Sequence, residues 1–577
     1  MKNLTILFLI SFFSLQLSGQ GFEWAKAIEV IDNSLAAGVS TPTDVEADAS
    51  GNIYMAGMFS GVVDFGGGEV TSSGDFIPTL DGYICKFSPS GEFIWLEVLP
   101  SFLGGVDDIE LDEEGNIYLL ANFNEEITVA GQQVVAGVND HGFIIAKLNA
   151  DRELQWVSSV LQINTFDVVR GSSIELNSNE DLVVAGNFDA EVNIGGTILE
   201  AVNPGDGNHF LAVLGQADGD WNWVKRTSNL VPISAILDVA TDAEGNIYAT
   251  GATIGVSDFG GITVTSIDKQ VFFLAKYDEL GDLQWVNHSL GSTSTFDDEG
   301  TAVETDPASG DVYVTGTYGS TEFHIGGVIL QEEDLCCGEL FLARFDGSGA
   351  LVWVKQSHGG SGNDNTTVDM ARSSDGGALL TGYYGGSNGG DAIFGEGANE
   401  VTLSAGPANS VFVAKYESNG DCDWAKGFHG NTATANARAT TVADAGDGGP
   451  VVAGNFSENL IMESITLNST PTILTPNMFV VKMNDAVSTF DRPASHSLNI
   501  SLSPNPNGGL LLAAWEKPAA AGAFLQVSDQ AGKILHSMSA EGLTSATLDL
   551  SNLENGIYSI CLLAGEYKAV ERFVLSR

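Results

Sequence analysis

The residues able to do chemistry are few and scattered. Eight histidines, at 141, 209, 288, 324, 358, 429, 496 and 536, form no H-E-x-x-H pair and no metal-ligand spacing. The five cysteines, Cys85, Cys336, Cys337, Cys422 and Cys561, are odd in number and dispersed, which suits neither a disulfide framework nor a zinc site. Adjacent Cys336 and Cys337 read as two free thiols, with a strained vicinal disulfide as the alternative. "GGSNG" at Gly385–Gly389 fits the pattern of a nucleophile elbow, but no apolar strand precedes it and no helical pattern follows, so a glycine-rich loop is expected. Acidic turns such as "DASGN" (48–52) invite a calcium reading. No D-x-[DN]-x-[DN]-G loop occurs, however, and Asp followed by Gly three residues on is what a tight turn favours. Calcium would fit best at "ADGDWNW" (217–223) or "GNDN" (362–365). No catalytic, cofactor-binding or metal-binding residue is assigned, and no cofactor is expected.

Charge narrows the classes of partner. The chain of 577 residues has a formal charge of −52, and residues 21–491 hold 16 basic against 68 acidic side chains. Such a surface repels phosphate backbones and anionic headgroups, which excludes nucleic-acid binding. The first 20 residues, one Lys followed by an apolar run from Leu4 to Leu17 and then Ser18 and Gly19, have the layout of a secretory signal peptide. No later stretch is apolar enough for a membrane-spanning helix.

The elements that must position any site come from a repeat. Tryptophans fall at 24, 95, 156, 223, 285, 353 and 424. A second series reads "GNIYMAG" (51–57), "GNIYLLA" (115–121), "EDLVVAG" (180–186), "GNIYATG" (245–251), "GDVYVTG" (310–316), "GGALLTG" (376–382) and "GGPVVAG" (448–454). A third reads "GYICKF" (82–87), "GFIIAKL" (142–148), "HFLAVL" (209–214), "FFLAKY" (272–277), "LFLARF" (340–345), "VFVAKY" (411–416) and "MFVVKM" (478–483). Period-two alternation and Gly/Asn/Asp turns predict four short antiparallel strands per unit of about 65 residues. The first strand ends at an acidic turn (Thr43–Asp48), the second is the "GNIY" run, the third the "F-x-x-A-K-Y" run, and the fourth carries the Trp. Seven such units predict an all-β fold, a seven-bladed β-propeller over 21–485. The first Trp run lacks a unit before it and the last third-strand run lacks a Trp run after it, so the amino-terminal strand is expected to complete the seventh blade.

A basic residue recurs in the third strand at Lys86, Lys147, Lys276, Arg344, Lys415 and Lys482, with Val213 the exception. Asp48, Asp112 and Asp242 recur at the end of the first strand, with Asp306 and Asp444 close by in units five and seven, Asn177 in unit three and Ser373 in unit six. A repeated Asp–Lys pair is predicted to pin strand one to strand three.

The repeat resembles bacterial beta-propeller repeat families, in which D-x-x-G-N-I-Y-V-T-G precedes F-x-A-K-Y-D-x-x-G and a Trp strand. That resemblance implies the fold and no single activity. After a linker at 486–497, residues 498–577 read as a small β-sandwich. They resemble the carboxy-terminal sorting domain of the type IX secretion system of Bacteroidetes at Pro504, Asn505, Pro506 and Gly508, at Gly532 and Lys533, and at Gly556, Ile557 and Tyr558, with a basic end at Lys568, Arg572 and Arg577. What this implies is export to the cell surface or the medium, with the secretion machinery as a partner.

Loops one–two and three–four are uniformly short. The opposite set, including 202–210, 331–340, 358–367 and 385–400, is long and irregular, with "F-G-G" or "I-G-G" turns at Phe65, Ile194, Phe259 and Ile325. Variable loops on a rigid scaffold are where binding resides. The expected function is a non-catalytic exported binding, adhesion or scaffold protein meeting a polysaccharide or another surface protein. The alternative is an exported polysaccharide- or peptide-active hydrolase or lyase with its site in the propeller channel. That would need polar residues converging on the axis, and none is identifiable from the repeat alone.

Overall fold

The computed structural model describes residues 21–575 except 33–39, 74–78, 165–166, 202–206, 230–234, 267–268, 291–296, 332–337, 360–365, 375, 387–389, 447–448, 470–475, 485–499, 504–509, 516–522, 529–533, 541, 552, 554 and 565–566. The chain divides into two compact units, Met1–Val487 and Ser488–Arg577.

The first unit is built of small antiparallel sheets. Among the described residues one four-strand order recurs seven times, each strand hydrogen-bonded to the next. In unit four, for example, Ala235–Thr241 pairs with Ile247–Thr253, then Val271–Tyr277, then Leu283–His288. The second and third strands are apolar on both faces and buried throughout, as Ile247–Thr253 and Val271–Tyr277 illustrate, because each sheet is covered by neighbours on both sides. In unit seven the order is Ala437–Asp444, Pro450–Phe456, Asn477–Met483 and then Phe22–Asp32. The amino-terminal strand therefore pairs with residues some 450 positions away, Trp24 opposite Lys482 and Ile28 opposite Met478.

One irregularity is common to all seven units. The pairing of first and second strands shifts register between Pro42 and Asp44, Val106 and Asp108, Gly171 and Ser173, Ile236 and Asp238, Gly300 and Ala302, Thr367 and Asp369, and Ala439 and Thr441. The skipped residue is a β-bulge, which bends the strand and re-aims the side chain that follows. It also explains the Gly that closes most copies of the "GNIY…G" series. A methyl group at Gly251 would lie 2.0 Å from the Ala235 carbonyl oxygen, and one at Gly316 2.0 Å from that of Glu299. Unit two carries Ala121 at this position, opposite Val106.

Neighbouring sheets are joined at the turn between third and fourth strands. The indole nitrogens of Trp24, Trp156, Trp223, Trp285 and Trp353 donate to the carbonyls of Pro89, Gln216, Glu279, Gly347 and Ser418, each in the next unit. Trp95 lies instead under the Arg152 guanidinium, 5.1 Å from its ring centre. Trp424 is 7 % exposed and its indole N–H has no acceptor among the described residues. The turn it should meet is where the seventh sheet passes from Met483 to Phe22, which is not a covalent turn but two separate chain segments. The "F-G-G" and "I-G-G" turns belong to short two-stranded hairpins in which Phe65, Ile194, Phe259 and Ile325 are buried, while the second strands carry exposed Ile198, Val328 and Ile329.

The second unit has two antiparallel sheets, Ile500–Ser503, Leu510–Trp515 and Ser545–Asp549, and Ile534–Ser539, Phe524–Ser528, Gly556–Ala564 and Tyr567–Leu575. Leu511, Leu525, Val527, Leu548, Ile560 and Leu562, drawn from both sheets, share one apolar core.

Gly316→Ala should lower stability by about 2 kcal/mol or more, since the methyl meets backbone that cannot yield cheaply. Ala121→Gly should cost only ~1 kcal/mol. Urea unfolding of both variants checks the contrast.

Candidate functional site

The bulges set the direction of one side chain in every unit. The residue after each shift is Asp44, Asp108, Ser173, Asp238, Ala302, Asp369 or Thr441, and the next apolar residue (Val45, Ile109, Ile174, Val239, Val303, Met370, Val442) is buried. First strands pack against one another in chain order, and the seventh against the first. Each aspartate reaches across this contact to a backbone amide of the following unit. Asp44 accepts from Ile109 N at 3.0 Å, Asp108 from Ile174 N at 2.7 Å, Asp238 from Val303 N at 2.8 Å and Asp369 from Val442 N at 2.8 Å. Hydroxyls replace carboxylates in two units. Ser173 Oγ bonds Asp238 and Val239 N, and Thr441 Oγ1 bonds Val45 N and Asp44. Ala302 has nothing to offer. Between units five and six the joint is made by Arg372, whose guanidinium lies 2.9 Å from Asp306 and donates to the Thr305 carbonyl.

Two residues further along the same face stand Glu46, Glu110, Glu175 and Glu304. The eight carboxyls are partly buried and converge: Glu304 is repelled by Glu175, Asp238, Asp369 and Glu46, and Glu46 by Asp44, Glu175 and Asp369. Burial, reinforced by this repulsion, pushes Asp238, Asp369 and Glu175 up to about 7. Glu46, Asp108, Glu110 and Glu304 are driven well above the usual carboxylate range by the same causes, and Asp44 is raised chiefly by burial. Asp108 is repelled by Asp44, and Glu110 by Glu175, so ionisation of one carboxyl in each pair favours retention of the proton on the other.

The repeat conceals this set because the acids alternate with the expected apolar residues and merge with the acidic turn. The signal that finds it is an acid at positions i and i+2 before the turn aspartate, as in Asp44–Val45–Glu46, on the face a soluble strand would fill with apolar side chains.

At the turn end of the same strands lies a different constellation. The predicted Asp–basic pairs are present at 3.0 Å (Asp48–Lys86), 3.8 Å (Asp112–Lys147), 3.5 Å (Asp242–Lys276) and 3.8 Å (Asp306–Arg344). Arg344 also holds Asp311 at 2.7 Å, Lys482 reaches Glu23 at 3.7 Å, and Asp444 accepts from Ser374 N of the neighbouring unit at 2.6 Å. The Asn and Tyr of "GNIY" complete the group. Asn246 Nδ2 donates to Asp242 at 2.7 Å and Tyr248 Oη donates to it at 3.1 Å, while the Lys276 ammonium sits 4.9 Å from the Tyr248 ring centre. Asn52–Tyr54–Lys86 and Asn116–Tyr118–Lys147 repeat the arrangement. Sequence pattern supplied the Asp and Lys, and structure adds the Tyr.

Other candidates fall out differently. In 217–223, Asp218 accepts from Asp220 N within its own turn. Among the described residues no three His, Cys, Asp or Glu side chains are placed to hold a metal ion. "GNDN" (362–365), Ser387 of the "GGSNG" stretch, and Cys336 and Cys337 lie outside the described residues. Cys85 and Cys422 are free and buried. Of the tail positions, Pro504, Asn505, Pro506, Gly508, Gly532 and Lys533 also lie outside them. Gly556 opens the strand Gly556–Ala564, Ile557 pairs with Val574, and Tyr558 is buried in the tail's core. No helix among the described residues is long and apolar enough to cross a membrane.

Residues 493–576 match the family described as the secretion system C-terminal sorting domain. The tail is a secretion-system sorting domain. It implies export by the type IX secretion system to the cell surface or beyond, and contact with that machinery. No curated protein matches the chain. Among solved structures, a protein of unknown function from Bacteroides caccae aligns at 9 % identity and a TM-score of 0.25, covering 59 % of this chain and 94 % of that one. Dihydro-heme d1 dehydrogenase NirN aligns at 9 % identity and 0.26, covering 71 % and 73 %. At these TM-scores neither carries an argument about this chain.

The raised carboxyls have a pH consequence of fixed sign. Their protons are retained in the folded state above the pH at which unfolded carboxyls, at about 4, have lost them. For Asp238, Asp369 and Glu175 the stabilisation is complete below about pH 4 and is lost as pH rises through about 7. Asp238→Asn keeps the acceptor for Val303 N and removes the titration. It should flatten the decline of unfolding free energy between about pH 4 and pH 7 by about 1.4 kcal/mol per pH unit for the one proton removed. Calorimetry of both proteins across that range tests it.

Proposed function

We propose that the seven sheets form a closed β-propeller, completed by the strand Phe22–Asp32, and that this exported propeller is a non-catalytic binding protein of the outer cell surface or its surroundings. The observation that carries the reading is the contrast between the two ends of the sheets. At the turn end, Asp, Asn, Tyr and a basic residue are spent on one another in the same way in units one, two and four. At the other end the connections differ in length and composition from unit to unit, notably 331–340 and 385–400. A fixed scaffold with variable loops at one end suits recognition, and the ligand class that fits an exported acidic surface is a neutral polysaccharide or a basic or neutral surface protein.

A second reading is favoured by the convergence of Asp44, Glu46, Asp108, Glu110, Glu175, Asp238, Glu304 and Asp369. Carboxyls with near-neutral titration beside ionised ones are what acid–base hydrolysis of a glycoside uses. The aspartates are committed to backbone amides, so a hydrolase would depend on the glutamates.

Glycan-array binding by the chain from Gly21, with 331–340 and 385–400 each replaced by a short turn, separates the two. The binding reading expects capture of a glycan class, reduced tenfold or more by one of the loop replacements and unaffected by Glu110→Gln with Glu175→Gln. Release of reducing ends that disappears in the double glutamine variant would establish the hydrolase instead.

A further inference from the structure

The fourth strand of unit seven is held by no covalent neighbour in its own sheet. Residues 24–28 run antiparallel to 478–482 in continuous register, and beyond them Val30 N donates to Asn477 Oδ1 at 3.0 Å. At the other end Gly21 and Asn484 bond reciprocally, Gly21 N to Asn484 Oδ1 at 2.6 Å and Asn484 N to Gly21 O at 3.0 Å. Side chains add to the ladder. Phe22 meets Phe428 edge-on at 5.5 Å, Ile28 and Val30 are fully buried, and Val30 pairs with Val63 on the far side. Every partner lies at least thirty residues away in the chain, and most lie more than four hundred away.

Without this strand, Asn477–Met483 is an edge with unpaired backbone groups beside Met478, Phe479, Val480, Val481 and Met483, all of which are 0 % exposed when it is covered. An apolar edge of that kind accepts an extended strand. Its own strand must close a loop of nearly the whole first unit to reach it, and the entropic cost of closure rises with loop length. A second copy carries the identical strand, with the register and side chains already shown to fit, and competes for the edge in proportion to its concentration.

We propose that the edge of Asn477–Met483 is a strand-acceptor site that takes residues 22–32 of a second copy as well as its own, so that chains folding at high concentration yield strand-exchanged oligomers.

Ala25 and Val481 oppose each other directly. In the chain from Gly21, Ala25→Cys with Val481→Cys places a reporter disulfide across the ladder. Labelled (nitrogen-15) and unlabelled copies are refolded together at about 1 and about 100 µM, oxidised, separated by size and digested. The expected result is same-label 25–481 links in monomer at low concentration, and mixed-label links in the dimer fraction at high concentration, approaching half of its links. Absence of dimer at both concentrations, or dimer containing only same-label links, overturns the proposal. Because the cysteines could impair folding, the unaltered chain is also refolded with excess synthetic peptide of residues 21–32. Retention of the peptide and a several-fold fall in dimer support the site, and an unchanged dimer yield with no retained peptide overturns it.

Discussion

The reach of a carboxyl from one sheet to a backbone amide of the next is the constraint on which the first unit depends. It needs a side chain on the first strand pointing toward the following unit, and an ordinary strand pair does not provide that direction. The bulge before Asp44, Asp108, Asp238 and Asp369 does, and in six of the seven units a glycine stands opposite it, Ala121 beside Asp108 being the exception. Glycine, bulge, acid and neighbouring amide are therefore links of one chain of cause. Where the acid is absent, Ser173 and Thr441 reach the same amide with a hydroxyl. At Ala302 no such bond is possible, and the joint shifts to the Arg372–Asp306 contact at the turn end.

A single strand thus holds carboxylates in opposite electrostatic conditions. Burial works against ionisation of Asp48, yet its bonds to Asn52 and Lys86 hold it below the usual carboxylate range. Four residues earlier Asp44 is raised, and two residues earlier Glu46 is raised well above it. The difference is in depth of burial and in partners. The turn end offers an ammonium and an amide side chain, and the inner face offers mainly other acids. Ion pairs of the first kind fix register more than they add stability. Acids of the second kind oppose folding once ionised.

The sheet order, the seven-fold recurrence of four strands and the pairing of Phe22–Asp32 with the last third strand were legible in the sequence, because period-two alternation and turn chemistry are local. So were the Asp–Lys pairs, since both partners repeat. The inward acids were not. Asp44 and Glu46 look like part of a polar turn in one dimension, and only the bulge, a feature of pairing between strands, turns them inward. The tyrosine of "GNIY" was hidden for a related reason. Its burial reads as core packing, while its hydroxyl belongs to a polar group assembled from three strands. Hairpin turns at Phe65 and Phe259 were visible as Gly–Gly signals, but not that their aromatic residues fill the space beside the sheet.

The inward acids also alter what the sequence says about the surface. A formal charge of −52 counts every carboxyl as ionised. Those on the first strands keep a share of their protons at neutrality, and they are turned away from the exterior. The charge a partner meets at neutrality is therefore smaller than composition suggests, and it grows as pH rises through the titration of Asp238, Asp369 and Glu175.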